Sequence, residues 1–435
     1  MLYPDSVEYL YALGNEIKSF KLGLDRIRRL LDHLGNPHLS YRVIHVAGTN
    51  GKGSVCSMIA AGLRAAGLRT GLYTSPHLLE PTERIRIDGT EISKDVFLET
   101  FQVVHQEAEA MLARGELDAH PTYFETLTAM AFVAFREAKV DMAVIEVGLG
   151  GRLDATNVVE PELTVITSIG YDHEAWLGHS LASIATEKAG IVKAGVPVLS
   201  DPQSEDAWLV IQQRASQVNA PLYPSSAWQQ EDLYVDAEGA QFTLRAGNRT
   251  LDIRCPLAGA FQAENARIAA AALDLVGIDG DAIERGIRNV EWRGRVQKVG
   301  SSPDIYLDGA HNPAGCRALA EFIQMVRGGR KVWLVFGAMR DKAIGEMTEA
   351  LFGTADYLVL TAPNQARALH PQSLADMVEK VPHTIAPTVP EAIRVIRQAA
   401  PEDLVVIAGS LFLVAEAYAL LLPPVPSANS DRKLP

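Results

Sequence analysis

Two hydrophobic periods alternate along most of the chain. Short β-branched apolar runs bounded by turn residues read as strands of parallel sheets, and stretches with apolar positions three and four apart read as helices. Residues 20–35, "FKLGLDRIRRLLDHLG", carry the helical period and stop at Gly35. "YRVIHVAG" (41–48) reads as a buried strand, 54–67 as a helix and "RTGLYT" (69–74) as the next strand. Helices follow at 93–114 and 122–138, strands at 141–148 and 162–169, a helix at about 178–189, a strand at 196–200 and a helix at 204–219. Residues 221–257 suit a small antiparallel excursion, and 265–277 a further helix.

Near "WRGRVQKVGSS" (292–302) the pattern restarts. "DIYLDGAH" (304–311) is a strand running into a loop, followed by a helix (314–327), a strand (331–338), a helix (343–351) and a strand (356–361). Helices at about 372–379 and 390–399 and a last strand at 403–410 complete the second unit. The expected class is therefore α/β, with a larger unit over residues 1–297 built on a mostly parallel sheet and a smaller, Rossmann-like unit over 298–423. The Pro-rich, polar stretch 424–435 reads as a flexible tail.

Composition narrows the function classes. A chain of 435 residues, 48% hydrophobic and 21% charged, has enough apolar material for two cores. Its net charge of −13 argues against non-specific binding of nucleic acid or anionic membrane. No 18-residue apolar run predicts a membrane span, and the acidic first residues lack the basic start of a secretory signal. Three widely spaced cysteines, Cys56, Cys255 and Cys316, define neither a disulfide framework nor a thiolate metal cluster, which fits a reducing, cytoplasmic setting.

The candidate chemistry starts at "HVAGTNGKGSVCS" (45–57), between a strand and a helix. Gly48, Gly51 and Gly53 let backbone N–H groups face a phosphate, the helix start adds positive potential, and Lys52 adds a charge. Thr49 and Ser54 offer hydroxyls to phosphate or Mg²⁺, but Ser54 comes one place later than in a Walker A loop. A glycine-rich turn that binds nothing is the alternative reading. Glu146 ends a strand, where open parallel sheets place ligands, and glycines 148, 150 and 151 lead on to Asp154 and Asn157. His173 lies past the next strand; a histidine is an unusual partner for Mg²⁺ and is as readily a surface residue. Lys188 at a helix end is either a capping lysine or a site residue. Ser75 and His77 open a loop, and Glu83, Arg84 and Arg86 suit a solvated hairpin or a substrate wall equally. In the second unit Asp308 and His311 follow a strand, and Arg295 stands before it, so a cleft between the units gathers polar loops from both.

Taken in order, "HVAGTNGKGS", "TSPHL", "ERIRI", "EVGLGGRLDATN", "DHEAWLG", "EKAGI", "WRGR" and "DGAHNP" resemble the folylpolyglutamate synthase and dihydrofolate synthase family of ATP-dependent Mur ligases. The resemblance runs from about residue 12 to 418, and its Thr-Asn-Gly-Lys-Gly-Ser loop is the family's own variant of the phosphate-binding device. It implies a P-loop-type ATPase domain that binds ATP with Mg²⁺. Thr49, Asn50, Gly51, Lys52, Gly53 and Ser54 would hold phosphates, and Asn265, Arg295, Asp308 and His311 would contact nucleotide. Ser54, Ser75, Glu146, His173 and Lys188 would serve the metal, with Lys188 carbamylated and Lys52, His173 and Lys188 at the reaction centre. The pterin-side substrate is placed near Arg84, Thr122, Phe124, Glu125, Arg152, Leu153 and Asp154.

The implied reaction activates a carboxylate as an acyl phosphate and lets an amine displace phosphate, joining L-glutamate to dihydropteroate and to reduced folates. Folylpolyglutamate synthesis alone, a cell-wall Mur ligase, and a non-catalytic nucleotide-binding protein are the alternatives. The short stretch before Gly48 disfavours the cell-wall ligases, and Glu146 with His173 disfavours the non-catalytic protein. A monomer is expected, with no nucleic-acid or membrane partner.

Overall fold

The computed structural model describes residues 2–14, 23–201 and 204–422; the expected tail and the first residues of the helix expected from residue 20 lie outside them. Strands β1 (Arg42–Ala47), β2 (Thr70–Tyr73), β3 (Ile85–Ile87), β4 (Thr90–Glu91), β5 (Met142–Glu146), β6 (Leu163–Ile166), β7 (Val198–Ser200) and β8 (Leu222–Pro224) form one sheet, ordered β4-β3-β2-β5-β1-β6-β7-β8. It is parallel from β2 to β8, with β3 and β4 antiparallel at one edge. The chain crosses to one side of β1 for β2 and β5, then to the other for β6, β7 and β8. That reversal opens a crevice at the carboxyl ends of β1, β5 and β6.

Strand alternation divides the core between the two faces of this sheet. Val43, Ala143 and Ile145 pack against α1 (Tyr3–Ala12), α2 (Asp25–His33), α4 (Lys94–Ala113) and α5 (Tyr123–Glu137). Ile44, Val46, Met142 and Val144 meet the other layer, which contains α3 (Lys52–Ala65). Farther along come α6 (Glu174–Leu177), α7 (Leu181–Ala189), α8 (Glu205–Gln217), α9 (Ala260–Leu275) and α10 (Gly280–Arg288). A three-stranded antiparallel sheet, β9 (Gln229–Val235), β10 (Ala240–Ala246) and β11 (Arg249–Cys255), packs Phe242, Leu244, Leu251 and Ile253 into the core shared by α3, α9 and α10.

The second unit begins with β12 (Gln297–Ser301) and β13 (Asp304–Leu307), followed by β14 (Val332–Phe336), β15 (Tyr357–Leu360), β16 (His383–Ile385) and β17 (Leu404–Ala408). Their order is β12-β13-β17-β14-β15-β16, parallel except for β12. Helices α11 (Pro313–Arg327), α12 (Ile344–Leu351) and α13 (Pro371–Ala375) cover one face, and α14 (Val389–Ile396) and α15 (Leu411–Leu421) the other. Among the described residues no helix is long and apolar enough to cross a membrane.

The α/β class with two sheets is as the hydrophobic pattern implied, and the differences are local. Only β9–β11 of the expected antiparallel excursion are antiparallel, because β8 adds to the first sheet in parallel. The edge strands β12 and β16 escaped the pattern because their burial is partial and their residues are mixed polar and apolar. Helix α10 is short, and it sits where Gly286 meets Gly62 of α3 backbone to backbone. A Cβ on Gly286 would run into the Gly62 main chain. We expect Gly286→Ala to push α10 off α3 and to lower stability by about 1–3 kcal/mol, read from urea unfolding; an unchanged midpoint would show that the helices separate freely.

Candidate active site

The glycine loop leaves the end of β1 and enters α3 at Lys52, with Gly51 at φ +85° as the last residue before the helix. Three neighbours press on it. A Cβ on Gly48 would overlap the Thr167 hydroxyl, one on Gly51 the Asn265 amide, and one on Gly53 would lie 2.8 Å from the Trp292 ring. The displaced hydroxyl follows from the last of these contacts. Position 53 must be glycine under Trp292, so the first-turn hydroxyl comes from Ser54, whose Oγ accepts a 3.3 Å hydrogen bond from Gln262 Nε2. The loop after β6 ties down the other side: Thr167 Oγ1 donates to the Asn50 carbonyl at 2.8 Å, and Thr49 N to the Ser168 carbonyl at 2.7 Å.

Two ammonium groups share the Gly48 carbonyl. Lys52 Nζ donates to the Gly48 and Thr49 carbonyls, both at 3.1 Å, and Lys188 Nζ donates to the Gly48 carbonyl at 2.6 Å. Lys188 projects from α7 and is 4% exposed. Burial, with Lys52 nearby, pulls its pKa down to about 7, which leaves much of the amine neutral near neutrality. Glu146, at the end of β5, is buried and accepts from Ser75 N at 3.0 Å. Burial raises its pKa, against the opposing pull of Lys52 and that hydrogen bond. His173 stands in the left-handed region, φ +52°, just before α6, and burial lowers its imidazole to about 4, so the ring is neutral at pH 7.

These groups open onto one cavity of about 780 Å³. Its walls include Thr49, Asn50, Gly51, Lys52, Gly53, Ser54, Ser75, Glu146, His173, Lys188 and Asn265 from the first unit, and Arg295, Asp308 and His311 around the second. Every residue the sequence pointed to for phosphate, nucleotide or metal thus faces the same space. Asp308 enters differently from the others: its carboxylate accepts from Val296 N and Ala310 N, both at 2.8 Å, and braces the turn that presents Arg295 and His311.

The substrate-side residues are scattered. Phe124 and Asp154 line an adjoining recess of about 400 Å³ with Tyr11, His77 and Leu149. Thr122 and Glu125 line neither cavity; they cap α5 reciprocally, and Glu125 is also held by Arg26 at 2.8 Å. Arg152 is half exposed and paired with Glu187 at 2.9 Å, and Leu153 beside it is also outside both cavities. Arg84 is buried behind the recess, donating to His77 Nδ1 at 2.8 Å and lying over the Tyr123 ring. That bond makes Nδ1 the acceptor, so the proton on His77 sits at Nε2, 3.3 Å from the Tyr11 hydroxyl.

Sequence reasoning passed over Asp172. Its carboxylate accepts from Lys342 Nζ at 2.5 Å and Asn312 Nδ2 at 3.1 Å, and His311 Nε2 lies 3.4 Å away. Burial would raise its pKa, but the His311 hydrogen bond and charge, with His173 and Lys342, outweigh that and hold the carboxyl well below its ordinary value. Asp172 belongs to the first unit and those donors to the second, so it joins the two walls of the cleft. Asn50 and Asn312 add a reciprocal amide pair, at 2.9 and 3.3 Å. The signal was present in "DHEAWLG", where His173 drew attention away from the aspartate beside it.

Fold and site together define a Mur-type ligase architecture. Residues 46–273 match the Mur ligase middle domain, and residues 294–411 the Mur ligase glutamate ligase domain. The chain is 39% identical over 430 residues to a probable bifunctional folylpolyglutamate synthase/dihydropteroate synthase of Haloferax volcanii, with 96% of this chain and 50% of that protein covered. It therefore spans about half the length of that relative and of its Halobacterium salinarum counterpart. With the dihydrofolate synthase/folylpolyglutamate synthase of Bacillus subtilis the identity is 35% over 426 residues, covering 95% and 98%. The structure of Mycobacterium tuberculosis folylpolyglutamate synthase complexed with ADP and AMPPCP superposes with a TM-score of 0.90 at 33% identity, covering 97% of this chain and 99% of that one. The chain belongs to the folylpolyglutamate synthase/dihydrofolate synthase family of the Mur ligase superfamily.

We expect Asp172→Asn to leave Lys342 without its carboxylate and to cost about 1–3 kcal/mol in urea unfolding. The double variant Asp172→Asn/Lys342→Met should recover part of that loss. A double-variant loss equal to the sum of the Asp172→Asn and Lys342→Met single losses would show that the cross-cleft pair carries no coupling.

Proposed function

We propose that the chain is an ATP-dependent amide ligase that adds L-glutamate to dihydropteroate and to reduced folates. The observation that carries this reading is the single cavity in which the glycine loop, Lys52, Glu146, His173 and Lys188 face Arg295 and His311 across the cleft. A carboxylate is a poor electrophile. One of its oxygens attacks the γ-phosphorus of ATP, the bond to the β–γ bridging oxygen breaks, and ADP leaves. The glutamate amine then attacks the acyl carbon, the carbon–oxygen bond to phosphate breaks, and the amine proton is lost. Backbone N–H groups of residues 51–54, at the start of α3, with Lys52 and Arg295, hold the migrating charge. Asn265 lies against the same loop, and Asp308 and His311 support the opposite wall.

The donor set fits Mg²⁺ with one condition. Ser54, Ser75 and Glu146 supply hard oxygens and His173 a neutral imidazole, but a charged Lys188 beside them opposes a cation. The neutral form of the Lys188 amine can attack the carbon of CO₂ and release a proton, giving a carbamate that would offer an anionic oxygen in place of the positive charge. When bound, Mg²⁺ supplies charge neutralisation at the phosphates. The pterin-side recess is the one lined by Tyr11, His77, Phe124 and Asp154; Arg84 braces His77, and Thr122 and Glu125 fix the start of α5. Arg152 and Leu153 stand farther out in this reading, on the side turned to solvent. The catalytic division runs at 1–297 and 298–423, and the enzyme works as a cytoplasmic monomer. The buried, unbridged Cys56, Cys255 and Cys316 support that compartment.

Two experiments test the reading. Dihydropteroate and tetrahydrofolate are offered separately, each with L-glutamate, ATP and Mg²⁺, and the products are weighed by mass spectrometry. A one-glutamate mass increase is expected with both, and Lys52→Met should lower kcat/KM by roughly 10²-fold or more. An increase with tetrahydrofolate alone would reduce the activity to folylpolyglutamate synthesis, and ADP release at background with both would remove the ligase reading. For Lys188, ¹³C-enriched bicarbonate should produce a carbamate NMR signal that Lys188→Ala abolishes; a spectrum identical in the two proteins would leave the lysine unmodified.

A further inference from the structure

Away from the cleft, three metal-competent side chains converge where α1, α4 and the segment before α5 meet. His105 and Glu109 lie four residues apart on α4 and so share one face of the helix. His120 reaches them from the chain leading into the Thr122 cap of α5. One ligand atom from each lies within 4.8 Å of the other two. The closest approaches are 3.6 Å from His120 Nε2 and 4.0 Å from His105 Nδ1, both to Glu109 Oε1.

The two nitrogens that face Glu109 are buried and make no hydrogen bond: His105 Nδ1 and His120 Nε2. The tautomer of His120 follows from its other nitrogen. Nδ1 is 2.9 Å from the Pro121 carbonyl, which can only accept, so Nδ1 carries the proton and Nε2 presents its lone pair to the cluster. The rings are held in place. His105 stacks on Phe101 at 5.2 Å, and Tyr9 of α1 stands edge-on to His105 at 4.6 Å and to His120 at 5.7 Å. The Tyr9 hydroxyl donates to Glu109 Oε1 at 3.2 Å, which orients the carboxylate. Glu109 is half exposed, which leaves an entry path from solvent.

We propose that His105, Glu109 and His120 form a surface site for one divalent cation of the Zn²⁺ class, separate from the ligase cavity. Two imidazole nitrogens and one carboxylate, with a position open to water, match a four-coordinate borderline-soft ion and not Mg²⁺. Zinc ligands at bond lengths of about 2.0–2.2 Å sit roughly 3.3–3.5 Å apart. The distances to Glu109 need only a small closure, which its exposed torsions can supply, and the two imidazole nitrogens, within 4.8 Å of each other, close the remaining gap by rotation of the rings. The bound ion would fasten the 114–122 segment to α4 beneath Tyr9. Helix α1 also carries Tyr11, whose ring stacks on Tyr123 at 5.6 Å beside the smaller recess. The site therefore braces the wall to which that recess is attached.

The test uses the full chain, stripped with a chelator and returned to buffer with millimolar Mg²⁺, which competes at the ligase cavity. Zn²⁺ is titrated and counted by equilibrium dialysis. The wild type should hold one more Zn²⁺ per chain than His105→Asn/His120→Asn, and only the wild type should gain several degrees in Tm from it. Co²⁺ should give the wild type a four-coordinate visible spectrum that is lost in the double variant. Glu109→Gln, at a solvent-facing position, should bind Zn²⁺ more than about tenfold more weakly, and it keeps the comparison available if the double variant does not fold. Equal Zn²⁺ stoichiometry in wild type and His105→Asn/His120→Asn, or equal Zn²⁺ affinity in wild type and Glu109→Gln with matching Co²⁺ spectra, would overturn the site.

Discussion

The structure depends on a stretch of main chain that has no room for a side chain at three of its positions. At the end of β1 the backbone of residues 48–53 is pressed by Thr167, Asn265 and Trp292, which come from β6's loop, α9 and the link between the two units. Glycine at these points lets the main chain pass against those neighbours without a Cβ in the way. Because the three neighbours come from distant parts of the chain, forming the loop correctly requires the first sheet, α9 and the inter-unit link all to be in place.

Charge organises the rest of the site around that loop. Lys52 and Lys188 both donate to the Gly48 carbonyl, an arrangement that concentrates positive charge beside the buried Glu146. The same unit also carries the opposite sign. Asp172 gathers Lys342, Asn312 and His311, and the strength of that gathering shows in how far its carboxyl is held below the ordinary range. The cavity is thus bounded by a cationic loop on one unit and tied shut by an anionic residue that draws cations from the other.

The hydrophobic periods located the core strands β1, β5, β6, β14 and β17 because these are nearly continuous buried runs flanked by turns. Edge strands carry weaker periods and were missed; α10 was missed although its apolar residues keep a helical spacing, because it is only nine residues long. The loop residues of the site were legible for a related reason: strand ends in a parallel sheet point to one edge, so a polar residue just past an apolar run is already placed. Arg152, Thr122 and Glu125 were placed by the family resemblance and not by strand ends. Their motifs are distinctive, yet Arg152 pairs with Glu187 and the other two close a helix cap.

Element order, the parallel character of both sheets and the position of the glycine-rich turn were all contained in local residue patterns, since each depends on neighbours a few positions away. Partnerships across the cleft were not. Asn50 finds Asn312 at a separation of 262 residues, and Asp172 finds Lys342 at 170. No periodicity links such positions; they meet because two independently formed sheets dock with their strand ends facing. The same holds for His105, Glu109 and His120: the first two share a helix face by spacing, but the third joins them only through the packing of α1, α4 and α5.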